Sequence, residues 1–240
     1  MSFGLPTGQL FKSNNLHSWW DLHRLTEIEA FKAQCNDLTF KVLSCFAWHM
    51  GLPKDFFTTS HQDGLPGNTL KFIKYPKLAI KPDDAVPRLT EHTDWGSITL
   101  LFTDSPGLEV LDPQDQWHEV PQLPGGIVIN IGDALSLWTG QQLKSTMHRI
   151  SWEKVPVDQD RYSMPYFVHP NFSKCRATPL GQRLILSCVL LCEKCFMLTA
   201  GTGSHQPQIS QGAREYGGKG DHIQRLLQLS NEAHLGKLAK

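Results

Sequence analysis

The stretch His92-Thr-Asp94-Trp-Gly-Ser97-Ile-Thr-Leu-Leu-Phe102 sets a histidine and a carboxylate two residues apart and runs directly into β-branched and apolar residues. In an extended chain residues i and i+2 point to the same face, so His92 and Asp94 can reach one metal ion while Thr93 turns away. The run from Ser97 to Phe102 has the length and composition of a strand. A second imidazole comes from Leu143-Lys-Ser-Thr-Met-His148-Arg, where His148 opens another strand-like run that ends at Trp152. Two imidazoles and one carboxylate are the ligand set of a mononuclear non-haem Fe(II) centre that leaves one face of the metal open. A lone H-x-D is ordinarily a surface histidine beside a solvated aspartate. Both ligand groups here fall at strand ends, where a rigid site can be built, and this favours the metal reading.

A third segment sharpens it. In Arg161-Tyr-Ser163-Met-Pro-Tyr-Phe167-Val-His-Pro170 the alternation puts Arg161, Ser163, Pro165, Phe167 and His169 on one face. A guanidinium and a hydroxyl two residues apart on a strand suit a carboxylate, with Phe167 further along the same cavity. Taken alone, the pair would be an arginine at a sheet edge beside an ordinary serine. His92, Asp94 and His148 turn it into a candidate anion receptor next to a metal.

Four segments in this order, His92-Thr-Asp94-Trp-Gly-Ser-Ile-Thr-Leu-Leu, Ile129-Asn-Ile-Gly-Asp133, Leu143-Lys-Ser-Thr-Met-His148-Arg-Ile and Arg161-Tyr-Ser163, resemble the Fe(II)/2-oxoglutarate-dependent dioxygenases of the isopenicillin N synthase-like superfamily. The likeness runs from about Phe72 to Pro170 and is weaker from Asn15 to Phe57. It implies a mainly β fold with flanking helices, a double-stranded β-helix or distorted jelly roll. It implies Fe(II) held by His92, Asp94 and His148, with the distal carboxylate of 2-oxoglutarate on Arg161 and Ser163. The family often has an N-x-Y-P segment before the H-x-D. This chain reads Ile73-Lys-Tyr75-Pro76, so Tyr75 is either a cosubstrate contact or a half-buried strand aromatic.

The activity implied is oxidative decarboxylation of 2-oxoglutarate coupled through O2 to hydroxylation or desaturation of a small organic substrate. Such chemistry needs a dry, aromatic-lined pocket, for which Phe72, Phe102, Trp138 and Phe167 are the candidates. His169, on the Arg161 face, is a further candidate substrate contact, and the remaining histidines read as structural or surface residues. Two other readings stay open. One is a superfamily oxidase or cyclase that works without 2-oxoglutarate, its R-x-S pair gripping another carboxylate. The other is a truncated product that keeps the motifs without turnover.

Composition narrows the class further. With 23 basic and 23 acidic side chains in 240 residues, nothing suggests a nucleic-acid surface or an acidic partner. The longest apolar run, Leu184 to Cys192, is too short to span a bilayer, and Met1 to Gly8 lacks the basic and apolar regions of a secretory signal. The expectation is a cytoplasmic enzyme with reduced cysteines. Cys188, Cys192 and Cys195 fall on one helical face, but no fourth ligand lies near at zinc-site spacing, so they read as small hydrophobes.

The organisation has three parts: residues 1–60 as a partial N-terminal helical segment, 61–170 as the oxygenase core and 171–240 as an atypical C-terminal segment. A helix is predicted from Thr26, with Glu29 completing a capping box, to Met50, where Gly51-Leu-Pro53 stops it. Turn clusters at Lys81–Asp84, Asp104–Gly107, Asp112–Asp115 and Pro124–Gly126 separate short β runs. Gly132-Asp133 reads as a tight turn, and Asp221 as the cap of a final helix bearing Ile223, Leu226, Leu227 and Leu235. Typical members of the family carry a substantial region ahead of the matched segment. A chain without it is expected to leave the main sheet with an unpaired edge, and to be oligomeric and weakly active.

Overall fold

A strand with apolar residues at both parities must be buried on both faces, and this is what organises the molecule. In the computed structural model, residues 2–6, 21–62, 68–80, 87–153, 155 and 157–171 are described. Strand β4 (Ile98–Thr103) sends Ile98, Leu100 and Phe102 to one side and Thr99 and Leu101 to the other. Strand β9 (Arg161–Val168) does the same, with Tyr162, Met164, Tyr166 and Val168 opposite Arg161, Ser163, Pro165 and Phe167.

Both belong to a five-stranded antiparallel sheet of order β1-β2-β9-β4-β7, with β1 at Ser2–Pro6, β2 at Thr69–Tyr75 and β7 at Val128–Ile131. A four-stranded antiparallel sheet of order β3-β8-β5-β6 faces it, built from β3 (Leu89–His92), β5 (Leu108–Leu111), β6 (Trp117–Glu119) and β8 (His148–Ile150). One cavity is lined from both sheets. This is the expected distorted jelly roll.

The apolar core lies on the other face of the larger sheet. Helix α1 (Leu22–His49) covers it with Leu25, Ile28, Phe31, Cys35 and Leu43 at helical spacing. Phe31 meets Phe102 edge to face with ring centroids 5.0 Å apart. The helix starts one turn earlier than the Thr26 box predicts. Asp21 is its cap, accepting from the Arg24 amide at 2.9 Å, while the Thr26 hydroxyl donates to the Leu22 carbonyl inside the helix. Its end at Met50, with Gly51 at φ 69°, is as expected.

Asp133 opens a short helix, α2 (Asp133–Trp138), where a turn is predicted. Gly132 before it is extended, and Ala134, Leu135 and Trp138 are apolar enough to form a buried helical turn directly after it. The N-terminal segment, expected to be helical, contributes β1 to the larger sheet, so the outer side of β2 is paired. The turn at 81–84, the cysteine face at Cys188, Cys192 and Cys195, and the helix from Asp221 lie outside the described residues. No helix among the described residues is long and apolar enough to cross a membrane.

Candidate active site

His92 closes β3, Asp94 follows in the connection to β4, and His148 opens β8 directly opposite His92 in the β3–β8 ladder. One ligand atom from each lies within 4.8 Å of the others. Nε2 of His92 and Nε2 of His148 are 4.0 and 3.9 Å from Oδ1 of Asp94, and the two imidazole centroids are 4.3 Å apart.

The other atoms of these side chains are already engaged. Nδ1 of His92 is 2.8 Å from the Thr90 carbonyl and Nδ1 of His148 is 3.1 Å from the Thr146 carbonyl. A carbonyl only accepts, so both Nδ1 atoms carry the proton and both Nε2 lone pairs face the common centre. Asp94 is buried. Its Oδ2 accepts from the Thr99 hydroxyl at 2.6 Å and from Nδ2 of Asn130 at 2.8 Å, leaving Oδ1 for the centre.

The backbone around Asp94 is clamped as well. The first amides of α2 lack helical partners. That of Asp133 donates to the Asp94 carbonyl at 2.7 Å and that of Ala134 to the Gly96 carbonyl at 3.2 Å. Such an approach needs glycine on both sides. A Cβ at Gly132 would stand 2.2 Å from the Gly96 oxygen, and one at Gly96 would stand 2.3 Å from the Val168 oxygen. The Asp133 carboxylate accepts from the Thr93 hydroxyl at 2.9 Å, a loop contact away from the ligand centre.

From the metal triad the cavity runs along β9. Thr99 and Thr69 flank Phe167 in register, Ile73 and Thr103 flank Ser163, and Tyr75 faces Arg161. Phe167 and Arg161 are six positions apart on the strand, roughly 20 Å of backbone. At the far end Arg161 is 1% exposed; its Nε donates to the Pro106 carbonyl at 3.0 Å, and among the described residues Nη1 and Nη2 have no partner. Burial pulls this guanidinium below its usual range, with Tyr75 and Asp104 opposing. A buried fork with two idle donors calls for an anion.

Tyr75 stacks on that fork, 5.3 Å from ring centroid to guanidinium carbon, with Arg88 at 5.4 Å from the same ring. Burial raises the pKa of its hydroxyl against the opposing pull of Arg161 and Ser163. Tyr75 is thus both half-buried and part of the anion end.

Three of the predicted pocket aromatics lie elsewhere. Phe72 and Phe102 point to the α1 side of the sheet, and Trp138 packs against Phe56 and Phe57 with centroids 6.0 and 5.0 Å apart. Phe72 and Phe102 have the wrong parity, because the cavity-facing residues of β2 and β4 are Ile73, Tyr75, Thr99 and Leu101, and Trp138 is carried into the core by α2. Phe167 does line the cavity. His169 stands beside it, its amide donating to Oδ1 of Asn68 at 3.0 Å, and burial lowers its pKa while Asp94 pulls it up. Sequence reasoning did not single out Thr99 and Asn130. Their signal was a polar side chain within an apolar strand, a pattern that asks for a buried partner.

The profile of the 2OG-Fe(II) oxygenase superfamily matches residues 67–170. The 2-oxoglutarate-dependent dioxygenase iboH of Amanita muscaria is 41% identical over 119 residues, covering 48% of this chain and 56% of the relative. Proline hydroxylase buaE of Petromyces alliaceus is 34% identical over 154 residues, covering 60% of this chain and 47% of the relative. The chain therefore spans about half the length of these curated relatives. Among solved structures, Neurospora crassa T7H in complex with alpha-KG and 5-formyluracil superposes with a TM-score of 0.66 at 28% identity, covering 78% of this chain and 68% of that one.

Proposed function

We propose, since this chain belongs to the 2OG-Fe(II) oxygenase superfamily through residues 67–170, that it couples oxidative decarboxylation of 2-oxoglutarate to hydroxylation or desaturation of a small organic substrate. In this reading residues 61–170 are the oxygenase core, flanked by the segments 1–60 and 171–240. The observation that carries the reading is the pairing of two unlike receptors in one cavity. At one end are three converging ligand atoms, and at the other is a buried guanidinium with two idle donors.

The donor set fits Fe(II), since two neutral imidazoles and a carboxylate hold one face of such an ion. His92, Asp94 and His148 would be its ligands, and Arg161 with Ser163 and Tyr75 would hold the distal carboxylate of 2-oxoglutarate. When bound, iron and 2-oxoglutarate together supply the power to activate O2 and oxidise a carbon–hydrogen bond. The chain's own residues do the positioning. Thr99 and Asn130 keep Asp94 presenting one oxygen, and Thr90 and Thr146 fix both imidazole tautomers. Leu89, Leu101, Val110, Val128, Ile150 and Phe167 give the cavity apolar walls that limit water.

The substrate is taken to be a free small molecule, as the name of buaE and the thymine-related ligand of T7H support, rather than nucleic acid. The balanced charge of the chain supports the same choice. The test is succinate formation by the purified chain given Fe(II), 2-oxoglutarate and O2. Succinate that requires all three is the expected result. Oxidation without any need for 2-oxoglutarate would overturn the reading in favour of a cosubstrate-independent oxidase.

A further inference from the structure

Both charges that line the cavity are committed. Asp94 belongs to the metal end and Arg161 to the far end, and among the lining residues no other carboxylate, lysine or arginine occurs. In the proposed loaded state the divalent ion offsets the dicarboxylate cosubstrate, just as Asp94 offsets Arg161. The cavity would then be close to neutral, and a charge at its rim would decide what enters.

One such charge is present. Lys71 stands on β2 between Thr69 and Ile73, in the row that faces the cavity. Its Nζ lies 5.0 Å from the centroid of Phe167, which lines the wall in register with Thr99, the residue that holds Asp94. Lys71 falls opposite Pro165 in the β2–β9 register, four positions from Arg161, and its ammonium reaches toward Phe167 and so toward the triad end. Its charge also acts on His169, as does that of Asp94.

Lys71 is exposed and has no ion-pair partner among the described residues. Its strand neighbour Lys74, on the other face, is by contrast held by Asp160 at 2.7 Å. A cation resting on an aromatic face keeps its own counter-charge open. A carboxylate on a substrate would pair with it while the carbon skeleton lay along Phe167 towards the metal.

We propose that the substrate of this chain is a small carboxylic acid, recognised by Lys71 through its carboxylate and by Phe167 through its carbon skeleton. This rests on the 2-oxoglutarate oxygenase reading of the cavity. Lys71 acts here as a specificity residue for the substrate, distinct from the cosubstrate anchor at Arg161.

The experiment uses the full chain loaded with Co(II) and 2-oxoglutarate, and a panel of small acids each paired with its primary amide, beginning with phenylacetate and phenylacetamide, indole-3-acetate and indole-3-acetamide, and L-proline and L-prolinamide. Binding is read by ligand-observed NMR, and with Fe(II) the stimulation of succinate formation is read in parallel. The expected result is that acids bind and their amides do not. Lys71→Met should weaken the bound acids on the order of tenfold, the effect of losing one charge-assisted contact, while leaving the KM for 2-oxoglutarate unchanged. Lys71→Arg should restore most of the loss, and Lys71→Glu should move preference to neutral or amine ligands.

Amides binding as well as acids, an unchanged acid affinity in Lys71→Met, or no acid binding at all would each overturn the proposal. Failure of the wild-type chain to bind Co(II) and 2-oxoglutarate would instead overturn the oxygenase reading. The loading step therefore separates the two.

Discussion

At the scale of single residues, the site is decided by which atoms are left over once every other partner is satisfied. Among the described residues Arg161 uses only Nε, toward the Pro106 carbonyl, and keeps Nη1 and Nη2 idle in a buried place. Arg161→Lys retains a positive charge but not the planar fork. It should raise the KM for 2-oxoglutarate about 10- to 100-fold while Co(II) titration stays one per chain. An unchanged KM would remove Arg161 from the cosubstrate site. Asp94 shows the same logic in reverse, since Oδ2 is taken by Thr99 and Asn130 so that Oδ1 is presented. Asn130→Ala leaves that oxygen short of one donor. Groups that orient ligands typically contribute 10- to 100-fold in metal affinity. A loss of that size is expected in a Co(II) titration, with smaller change in Asn130→Ser. An affinity equal to wild type would mean that Thr99 alone orients the carboxylate.

At the scale of elements, the metal end is a place where backbone meets backbone. The α2 N-terminus, the loop after Asp94 and the end of β9 approach so closely that a methyl group at Gly132 or Gly96 would overlap a carbonyl oxygen. Gly132→Ala must push α2 away from the Asp94 loop, because its Cβ meets the Gly96 and Asp94 carbonyls rather than a side chain that could swing aside. Overpacking of this kind costs about 1–3 kcal/mol, and a thermal melt should fall by roughly 3–10 °C. Metal affinity should fall with it, and a variant with wild-type melting and metal binding would show that the loop relaxes freely. How legible these elements were follows from the same geometry. The ligand triad and the Arg161/Ser163 pair could be read because identity and spacing are enough when the side chains are polar and rare in strands. Phe72 and Phe102 could not be placed, since a strand buried on both faces has no polar parity to tell pocket from core, and Trp138 could not because its short helix reads as a turn. The start of α1 was missed by one turn, because Thr26 and Glu29 fit a capping box while Asp21 and Arg24 make the actual cap.

At the scale of the whole molecule, the layer that covers the larger sheet and the segment that follows Asp94 are joined through a histidine, His61, that the sequence reads as structural or surface. His61 follows the 3-10 turn Thr58–Ser60; its Nδ1 is 2.7 Å from the Phe57 carbonyl and its Nε2 is 2.9 Å from the Ser97 hydroxyl. The carbonyl fixes the proton on Nδ1, so Nε2 accepts from Ser97, and the ring is neutral. No motif announces this link, because Ser97 is 36 residues from His61 and the ring's other partner is the Phe57 backbone carbonyl. It has a consequence for stability that can be signed. Burial pushes the His61 pKa down to about 4 from its ordinary 6.5, with the Phe57 carbonyl opposing and His169 adding to the shift. Above 6.5 the imidazole is neutral in both folded and unfolded chains, and its full contribution to stability is present. Between 6.5 and 4 the unfolded chain takes up a proton that the folded one refuses, so stability falls with falling pH. The loss is about 1.4 kcal/mol per unit and about 3 kcal/mol across the window. Urea unfolding at intervals from pH 7.5 to 4.5 should show this decline, and His61→Gln, which can still bridge Phe57 and Ser97 without titrating, should flatten it above pH 5. Carboxylates that titrate lower in the range are common to both proteins and cancel in the comparison. Equal slopes in wild type and variant would show that His61 takes up its proton in the folded protein, and that the link between the covering layer and the segment after Asp94 survives a charged imidazole.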